Sequence, residues 1–270
     1  MPELPEVETI RAGLEPVLVG HRVLAVHIRQ AQLRYLIPAD LEQVLRGQTI
    51  RGLQRRAKYL LLRMEQGTVL IHLGMSGSLR FVTTDQGPQR HDHVDFVLDH
   101  GILRYRDPRR FGMVLWHPDS AVPHRLLQKL GPEPLEEDFT SAYLAHRGKR
   151  SKRAIKNFIM DSHVVVGVGN IYANEALFLA RIHPLRPAGT LSAQEWEELQ
   201  HNIVAVLHAG IKAGGTTLQD FVDGEGKPGY FQQQLLVYGR DNAPCLECGE
   251  TLHKQMIGQR SSWFCPQCQH

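Results

Sequence analysis

The sequence predicts an α+β protein of several domains, with a β-rich amino-terminal module, a helical domain and a short C-terminal hairpin. Two observations lead to this fold class. Near residue 133 the spacing of apolar residues changes from a period of two, typical of strands, to 3.6, typical of helices. All four cysteines lie in the last 26 residues. A chain of 270 residues is long enough for more than one domain, and we place the domains at 1–132, 133–235 and 236–270.

A short helix is predicted at the start of the chain. In MPELPEVET, Pro5 suits the first helical turn, where its missing N–H is not needed. Glu6 and Glu8 place negative charge at the positive end of the helix dipole. One face of the helix is apolar, with Val7, Ile10 and Leu14.

Residues 20–116 are predicted to form strands separated by Gly or Asp turn signals. The clearest apolar segments are VLAVHIR, YLLLRM, TVLIHL, HVDFVLDHG and ILRYR. In HVDFVLDHG, the residues Val94, Phe96 and Leu98 alternate with polar neighbours. This alternation predicts an antiparallel strand with one buried and one exposed face. The amino-terminal module is therefore expected to be all-β after its first helix.

Prolines and acidic residues in LGPEPLEED, residues 130–138, indicate a domain boundary. Helices are expected from about 139 to 213. The last of them begins with a capping box, Ser192 with Glu195, and stops at Gly214 and Gly215.

The cysteines form two pairs, Cys245-x2-Cys248 and Cys265-x2-Cys268, with 16 residues between them. Each C-x2-C turn presents two thiolates to one ion, and two such turns complete a closed tetrahedral zinc site. We therefore predict one structural Zn²⁺. Two disulfides are the alternative, but they need an oxidising compartment that nothing else in the sequence supports.

The net charge of +3 says little, but the basic residues are clustered. RGLQRRAKYL and RGKRSKRAIK contain no acidic residue, and two such segments favour a polyanionic partner over a merely solvated surface. No stretch of 18 apolar residues is present, so no membrane span is expected. Acidic residues near the amino terminus do not fit a signal peptide, which predicts a soluble, cytoplasmic protein.

Several motifs resemble those of the bacterial formamidopyrimidine-DNA glycosylases. They are PELPEVET, QRRAKYLL, HLGMSGSL, DPRRFG, GVGNIYANEALF, GGTTLQDF, GKPGYF and the terminal cysteine hairpin, in the family's order. The resemblance implies an antiparallel β-sandwich, a helix-two-turn-helix domain and a zinc finger. It also implies an enzyme that removes oxidised purines, such as 8-oxoguanine and formamidopyrimidines, from damaged double-stranded DNA and cuts the strand on both sides of the abasic site. We expect a monomer, because one chain already supplies the nucleophile, the gap-filling residues and the DNA contacts.

Two other functions remain open on the sequence alone. Endonuclease VIII-like glycosylases, which act on oxidised pyrimidines, share the fold and the terminal Pro-Glu. Leu4, Met75, Arg109 and Phe111 resemble the formamidopyrimidine branch instead. A zinc-containing protein that binds DNA without catalysis would use the same basic segments.

Pro2 is the predicted nucleophile. Removal of Met1 would leave a secondary amine, and an α-amino group titrates near about 8, whereas a lysine titrates near about 10.4. The unprotonated amine attacks C1′ of the sugar, and ring opening gives an iminium cation that favours elimination of the 3′ phosphate. By resemblance, Glu3 assists base departure and ring opening, with Glu6 as a supporting residue. A Schiff base on Lys58 is a further alternative.

The resemblance assigns the other site residues. Lys58 acts on the damaged base or in β-elimination, and Arg260 acts in the second, δ-elimination. An extruded nucleotide leaves a gap in the helix, which Met75, Arg109 and Phe111 would fill. Further DNA contacts are expected at Lys58, His91, Lys152, Asn170, Tyr238 and Arg260.

Asn170 also has a simpler structural interpretation. Asn170 in GVGNIY fits a phosphate contact at a helix start, although by itself it could simply be an N-cap.

Residues 214–231 are expected to close over the extruded base, with flexibility from Gly224, Gly226 and Gly229.

Overall fold

The computed structural model describes residues 2–82, 87–119, 122–215 and 234–270. The chain divides into two compact units, Met1–Gln128 with Ala213–Gln232, and Lys129–Lys212 with Gln233–His270. The helices after residue 129 and the C-terminal hairpin thus belong to one unit. The three-domain boundaries remain a prediction.

The first unit begins with a helix and continues into eight strands. Its elements are α1 Leu4–Leu18, β1 Val23–Ile28, α2 Leu41–Leu45, β2 Gly52–Arg56, β3 Tyr59–Arg63, β4 Gly67–His72, β5 Ser78–Val82, β6 Asp92–Leu98, β7 Gly101–Arg106 and β8 Met113–Pro118. The helix α1 confirms the predicted start. Its apolar face, with Val7, Ile10 and Leu14, is buried in the core of this unit.

Two antiparallel four-stranded sheets form the predicted β-sandwich. Their strand orders are β1-β6-β7-β5 and β2-β3-β4-β8, and apolar residues from both sheets meet in one core. The sequence segments singled out above correspond to β1, β3, β4, β6 and β7. The three strands without a clear pattern, β2, β5 and β8, all lie at sheet edges. The fourth edge strand, β1, does have a clear apolar segment, so the edge position alone does not account for the weaker signal.

The strand β6 differs from its prediction. Its polar face is buried as well as its apolar face, and Asp95 is 1% exposed. Asp95 pairs with Arg104, which donates from Nε and Nη2 at 2.8 Å, and with Arg29 at 2.5 Å. The prediction of an exposed face was wrong because these arginines neutralise the buried carboxylate and cover that face.

The second unit contains the predicted helices. They are α3 Ser141–Gly148, α4 Ile155–Ile159, α5 Asn170–Leu179 and α6 Ala193–Lys212, with a 3₁₀ turn at Ala188–Thr190. The capping box of α6 is confirmed: Glu195 Oε2 accepts the N–H of Ser192 at 2.8 Å, and Ser192 Oγ accepts the N–H of Glu195 at 3.2 Å. Gly214 and Gly215 follow α6 with positive φ, as the predicted stop requires.

The chain ends in a hairpin of β9 His253–Ile257 and β10 Arg260–Phe264. Gly258 and Gln259 form its turn with φ of 57° and 63°. A Cβ at Gly258 would lie 2.4 Å from Asn157 Oδ1, so the turn packs against α4. No helix in the described part of the chain is long and apolar enough to cross a membrane.

Candidate active site, nucleic-acid interface and metal centre

Pro2 and Glu3 lie at the amino end of α1. Pro2 is partly exposed, whereas Glu3, the N-cap residue, is 3% exposed. Glu3 and Glu6 form a capping box, in which Glu6 Oε2 accepts the backbone N–H of Glu3 at 2.8 Å. Gly215 packs on Glu6, because a Cβ there would lie 3.1 Å from Glu6 Cγ. The predicted acid/base residue is thus held by the first turn of the helix.

Lys58 lies in the turn between β2 and β3 and is partly exposed. Ala57 precedes it with φ of 55°, in the left-handed region. Arg55 fixes this hairpin to α1, because its Nε donates to Glu8 Oε2 at 2.9 Å. The ion pair joins the β2–β3 hairpin to the helix that carries Pro2 and Glu3.

His72, at the end of β4, interacts both with Lys58 and with the loop that follows β4. Burial lowers the pKa of His72 to about 4, and the charges of Lys58 and Arg34 add to the shift. The imidazole is therefore neutral at pH 7. Its Nδ1 accepts the backbone N–H of Gly74 at 2.9 Å, which fixes the start of the loop that carries Met75.

Met75, Arg109 and Phe111 lie on two loops of the first unit. Met75 belongs to loop 73–77 between β4 and β5, and the other two belong to loop 107–112 between β7 and β8. Met75 is partly exposed, Arg109 is exposed and Phe111 is 46% exposed. We call these two loops the two-loop platform.

The two loops of the platform are in direct contact. A Cβ at Gly74, where φ is 63°, would lie 2.5 Å from the backbone of Phe111 and of Gly112. Any side chain at this position would push the loops apart. The Arg109 guanidinium lies 4.8 Å from the centre of the Phe111 ring, within the range of a cation–π contact. The structure thus brings the three predicted gap-filling residues to one surface.

His91 precedes β6 with φ of 74°. Desolvation lowers its pKa, and the nearby charges of Arg90 and Arg106 lower it further, with Arg110 contributing. These three arginines give the surface around His91 a positive potential, which suits a phosphate backbone.

Asn170 is the first residue of α5, and Gly169 is the N-cap. The N-cap interpretation of Asn170 was therefore wrong. Its Nδ2 donates to the backbone oxygen of Ser261 at 3.0 Å, and its Oδ1 is buried without a hydrogen-bond partner in the described part of the chain. Arg260 is exposed at the start of β10, next to Ser261. The bond from Asn170 thus places the start of α5 beside Arg260.

The basic segment RGKRSKRAIK does not form one uniform surface. Lys152 is exposed, as expected of a DNA contact, but Arg153 pairs with Asp161 at 2.9 Å. Lys156 is fully buried, and its Nζ donates to Ser261 O at 3.0 Å and to Ser262 Oγ at 2.5 Å. Its apolar neighbours in AIKNFI are a signal of burial that sequence reasoning passed over.

Tyr238 lies in the second unit, and the centre of its ring is 4.6 Å from that of Trp263. Sequence reasoning missed the residue that holds it, Glu175, which is buried in α5. Both carboxylate oxygens of Glu175 accept backbone N–H groups, at 2.7 Å from Leu236, 3.0 Å from Val237 and 2.8 Å from Tyr238. Because such a residue contacts only backbone, its role leaves little trace in a sequence pattern.

The four cysteines form a metal centre. Their sulfurs all lie within 4.8 Å of one another, with Cys245 and Cys268 at 3.9 Å and Cys248 and Cys265 at 3.5 Å. A tetrahedral zinc ion with Zn–S distances of about 2.3 Å separates its ligands by about 3.8 Å. The sulfurs are too far apart for disulfides, in which the S–S distance is about 2.05 Å. The cluster fits one structural zinc ion.

The predicted closing loop, residues 214–231 with Gly224, Gly226 and Gly229, lies outside the described residues except for its first two positions.

Three segments of the chain match known domains. Residues 1–114 match the formamidopyrimidine-DNA glycosylase N-terminal domain, and residues 130–222 match the formamidopyrimidine-DNA glycosylase H2TH domain. Residues 243–270 match the zinc finger found in FPG and IleRS. The chain belongs to the formamidopyrimidine-DNA glycosylase family. The predicted family, fold class and zinc site are thereby confirmed.

Relatives with this name are similar over their whole length. The formamidopyrimidine-DNA glycosylase of Syntrophotalea carbinolica is 54% identical over 270 residues, with 100% of both chains covered. That of Magnetococcus marinus is 56% identical over 274 residues, with 100% of this chain and 99% of the relative covered.

Solved structures of a Lactococcus lactis family member are similar in fold. One is a complex of an FPG mutant with Fapy-dG containing DNA, and another is a complex of the wild-type protein with an oxidized pyrimidine containing DNA. Both have a TM-score of 0.92 and 34% identity, with 100% of both chains covered. These comparisons do not favour either of the alternative functions.

Proposed function

We propose that the chain is a DNA glycosylase and AP lyase that excises oxidised purines, including 8-oxoguanine and formamidopyrimidines, from damaged double-stranded DNA. The observation that carries the proposal is the placement of Pro2 beside the buried Glu3 at the start of α1, in a chain that matches the family from end to end. The names of the relatives and the Fapy-dG DNA in the similar complex support the substrate class.

Pro2 acts as the nucleophile once Met1 has been removed. The lone pair of its secondary amine forms a bond to C1′, and the bond from C1′ to the base breaks, so that the base leaves with a proton. Opening of the sugar breaks the C1′–O4′ bond and gives an iminium cation between Pro2 and the sugar. An α-amino group suits this step because it titrates near about 8 and is partly unprotonated at neutral pH.

Glu3 serves as the acid and base beside this nucleophile. It donates a proton to O4′ as the ring opens and assists departure of the base. The capping box supports this role, because Glu6 holds the Glu3 backbone and leaves the carboxyl group near the terminus. A buried, pre-positioned carboxyl group loses little conformational freedom in the reaction.

Strand cleavage then follows in two eliminations. The iminium withdraws electrons from C2′, a proton leaves C2′, and the 3′ phosphate departs with the electrons of its C3′–O bond. Loss of a proton from C4′ and departure of the 5′ phosphate complete the second elimination. We assign Lys58 to the damaged base or to the first elimination and Arg260 to the second.

Each unit carries residues that we assign to DNA contacts. Met75, Arg109 and Phe111 fill the gap left by the extruded nucleotide, which otherwise costs a few kcal/mol in lost stacking and pairing. Phosphate contacts come from Lys58, His91, Lys152, Asn170, Tyr238 and Arg260. Cys245, Cys248, Cys265 and Cys268 would hold a structural zinc ion, which would fix the hairpin that displays Arg260. The protein acts as a monomer in the cytoplasm.

The proposal is tested with an end-labelled duplex that carries 8-oxoguanine opposite cytosine. The protein is expected to release the base and to leave phosphates at both ends of the gap. Glu3→Gln should abolish base release while DNA binding stays within about twofold, and Glu42→Gln in the short helix α2 serves as the matched control. Binding without any cleavage by the unaltered protein would favour the non-catalytic alternative, and cleavage of oxidised pyrimidines alone would favour the endonuclease VIII-like one.

A further inference from the structure

Asp107, the first residue of DPRRFG, is a fully buried carboxylate beneath the two-loop platform. It follows β7 and is 0% exposed. Four groups donate hydrogen bonds to its side chain: Ser76 Oγ at 3.0 Å, the N–H of Arg109 at 3.2 Å, the hydroxyl of Tyr105 at 3.2 Å and the N–H of Gly112 at 2.8 Å. No part of this carboxylate is available to DNA.

The four donors come from both sides of the platform. Oδ1 accepts from Ser76, which follows Met75, and from the backbone of Arg109. Oδ2 accepts from Gly112, which follows Phe111, and from Tyr105. Each predicted gap-filling residue is therefore bonded to Asp107 through its own backbone or through its neighbour in the chain.

Two of the four donors are backbone N–H groups, which require an acceptor oxygen, whereas the two hydroxyls can also accept, and that of Tyr105 lies 3.3 Å from the backbone oxygen of His72. Backbone N–H groups cannot accept a hydrogen bond, and burial raises the pKa of Tyr105, so its hydroxyl stays protonated. Ser76 Oγ also accepts from the N–H of Arg109, at 3.3 Å, so Ser76 contacts both Asp107 and the backbone of the other platform loop. A carboxylate offers about four acceptor positions, and all of them are used here.

The backbone of Asp107 extends the same network to the His91 segment. Its oxygen accepts from Nε2 of His93 at 2.8 Å, and its N–H donates to the oxygen of His91 at 3.1 Å. One buried residue thus connects the platform with the positively charged surface around His91.

The geometry points to Asp107 as a positioning residue that sets Met75, Arg109 and Phe111 as a single unit for insertion into the gap in the duplex. This inference rests on the proposed function. Asp107 touches neither DNA nor the reacting atoms. Its effect is confined to steps that need the platform, namely extrusion of the damaged nucleotide and recognition of the base left opposite.

Asp107→Asn is the test variant, because it keeps the shape and replaces one acceptor oxygen with an NH₂ group. That group faces a backbone N–H whichever way the amide is turned, that of Arg109 or that of Gly112, so one backbone hydrogen bond is lost. Asp119→Asn, an exposed acid at the end of β8, is the matched control. Two rates are measured: single-turnover excision of 8-oxoguanine from a duplex, and strand cleavage at a preformed abasic site in single-stranded DNA, which has no opposite strand to fill.

The expected result is a fall of about tenfold or more in duplex excision by Asp107→Asn, with reduced preference for cytosine opposite the lesion and an unchanged rate on the single-stranded abasic site. Equal duplex rates and equal opposite-base preference in the Asp107 and Asp119 variants would overturn the inference. Absence of excision by the unaltered protein would instead contradict the proposed function, so the two failures are distinguishable.

Ser76→Ala and Tyr105→Phe provide a second route if Asp107→Asn does not fold. Each removes one donor to Asp107 and leaves the backbone bonds in place. Both are expected to lower duplex excision and opposite-base preference by smaller factors than Asp107→Asn does, while the rate on the single-stranded abasic site stays unchanged. Unchanged duplex behaviour in both variants, with folding verified by thermal unfolding, would overturn the inference.

Discussion

The two units of the molecule hold Glu3 and Arg260 in different ways, although the second unit also uses a buried carboxylate, Glu175, to hold the backbone of Tyr238. In the first unit, buried carboxylates accept hydrogen bonds from the backbone of functional segments, as Glu6 does for Glu3 and Asp107 does for Arg109. In the second unit, side-chain donors grip a strand instead: Lys156 and Asn170 both donate to Ser261 O, next to Arg260. That strand also belongs to the zinc hairpin, so its position depends on a metal as well.

This difference teaches that the predicted nucleophile and Arg260 are supported by separate parts of the structure. The start of α1 is fixed by contacts within its own unit and contains no metal ligand. The display of Arg260 requires the hairpin, which is too short to be stable without zinc. Changes in one unit should therefore leave the function of the other measurable, and the following predictions test that separation.

Zinc removal should have the largest effect on binding. A chelator is expected to weaken duplex binding by at least about a hundredfold, because the hairpin loses the metal ion that joins its two cysteine pairs. The β-sandwich is expected to stay folded. Fluorescence anisotropy measures binding, and circular dichroism follows the strands. Restored affinity after zinc is added back is the control. Unchanged affinity after verified metal loss would show that the hairpin has no part in binding.

Arg260→Ala should have a smaller effect that depends on salt. One lost phosphate contact reduces the slope of log affinity against log salt by about one. Arg46→Ala, an exposed arginine after α2, is the control and should leave the slope unchanged. The measurement is a binding titration at several salt concentrations. An identical slope in the two variants would remove Arg260 from the interface.

His72 should affect the pH dependence of stability and leave DNA binding at neutral pH unchanged. Its pKa is about 4 in the folded protein and about 6.5 when unfolded, so the unfolded chain binds the extra proton between these values. The stabilisation that depends on neutral His72 is fully present above about pH 6.5. It is lost as the pH falls toward about 4, which lowers the free energy of unfolding by about 3 kcal/mol at most. Denaturant unfolding from pH 4 to 7 measures this slope.

A variant isolates the contribution of His72. His72→Asn should flatten the slope, since asparagine has no proton to gain, whereas His208→Asn on the exposed face of α6 should retain it. Equal slopes in both variants would assign the pH dependence to other groups.

The sequence predicted the helices, the central strands and the zinc site, because each has a strong local signal. Val7, Ile10 and Leu14 repeat with helical spacing, and the four cysteines need only their spacing to specify a metal. The edge strands β2, β5 and β8 lacked a clear apolar segment of their own, whereas the fourth edge strand, β1, had one. The buried face of β6 escaped because its covering arginines come from other strands.

The candidate site was predictable only where a motif fixes a residue type. Motif resemblance identified Met75, Arg109 and Phe111, yet it gave no indication that one carboxylate lies beneath them. In the basic segment, Lys152 and Lys156 carry the same charge and differ completely in exposure. Charge is visible in a sequence, whereas the tertiary contact that buries Lys156 against β10 is not.

Borohydride trapping tests the central role of Pro2 most directly. A lesion-containing duplex is mixed with the protein, the iminium is reduced to a stable amine, and the adduct is located by peptide mass mapping. The account predicts an adduct on Pro2, Met1 absent from the active protein, and trapping that persists in Lys58→Arg. An adduct on Lys58, or full activity in protein that retains Met1, would contradict it.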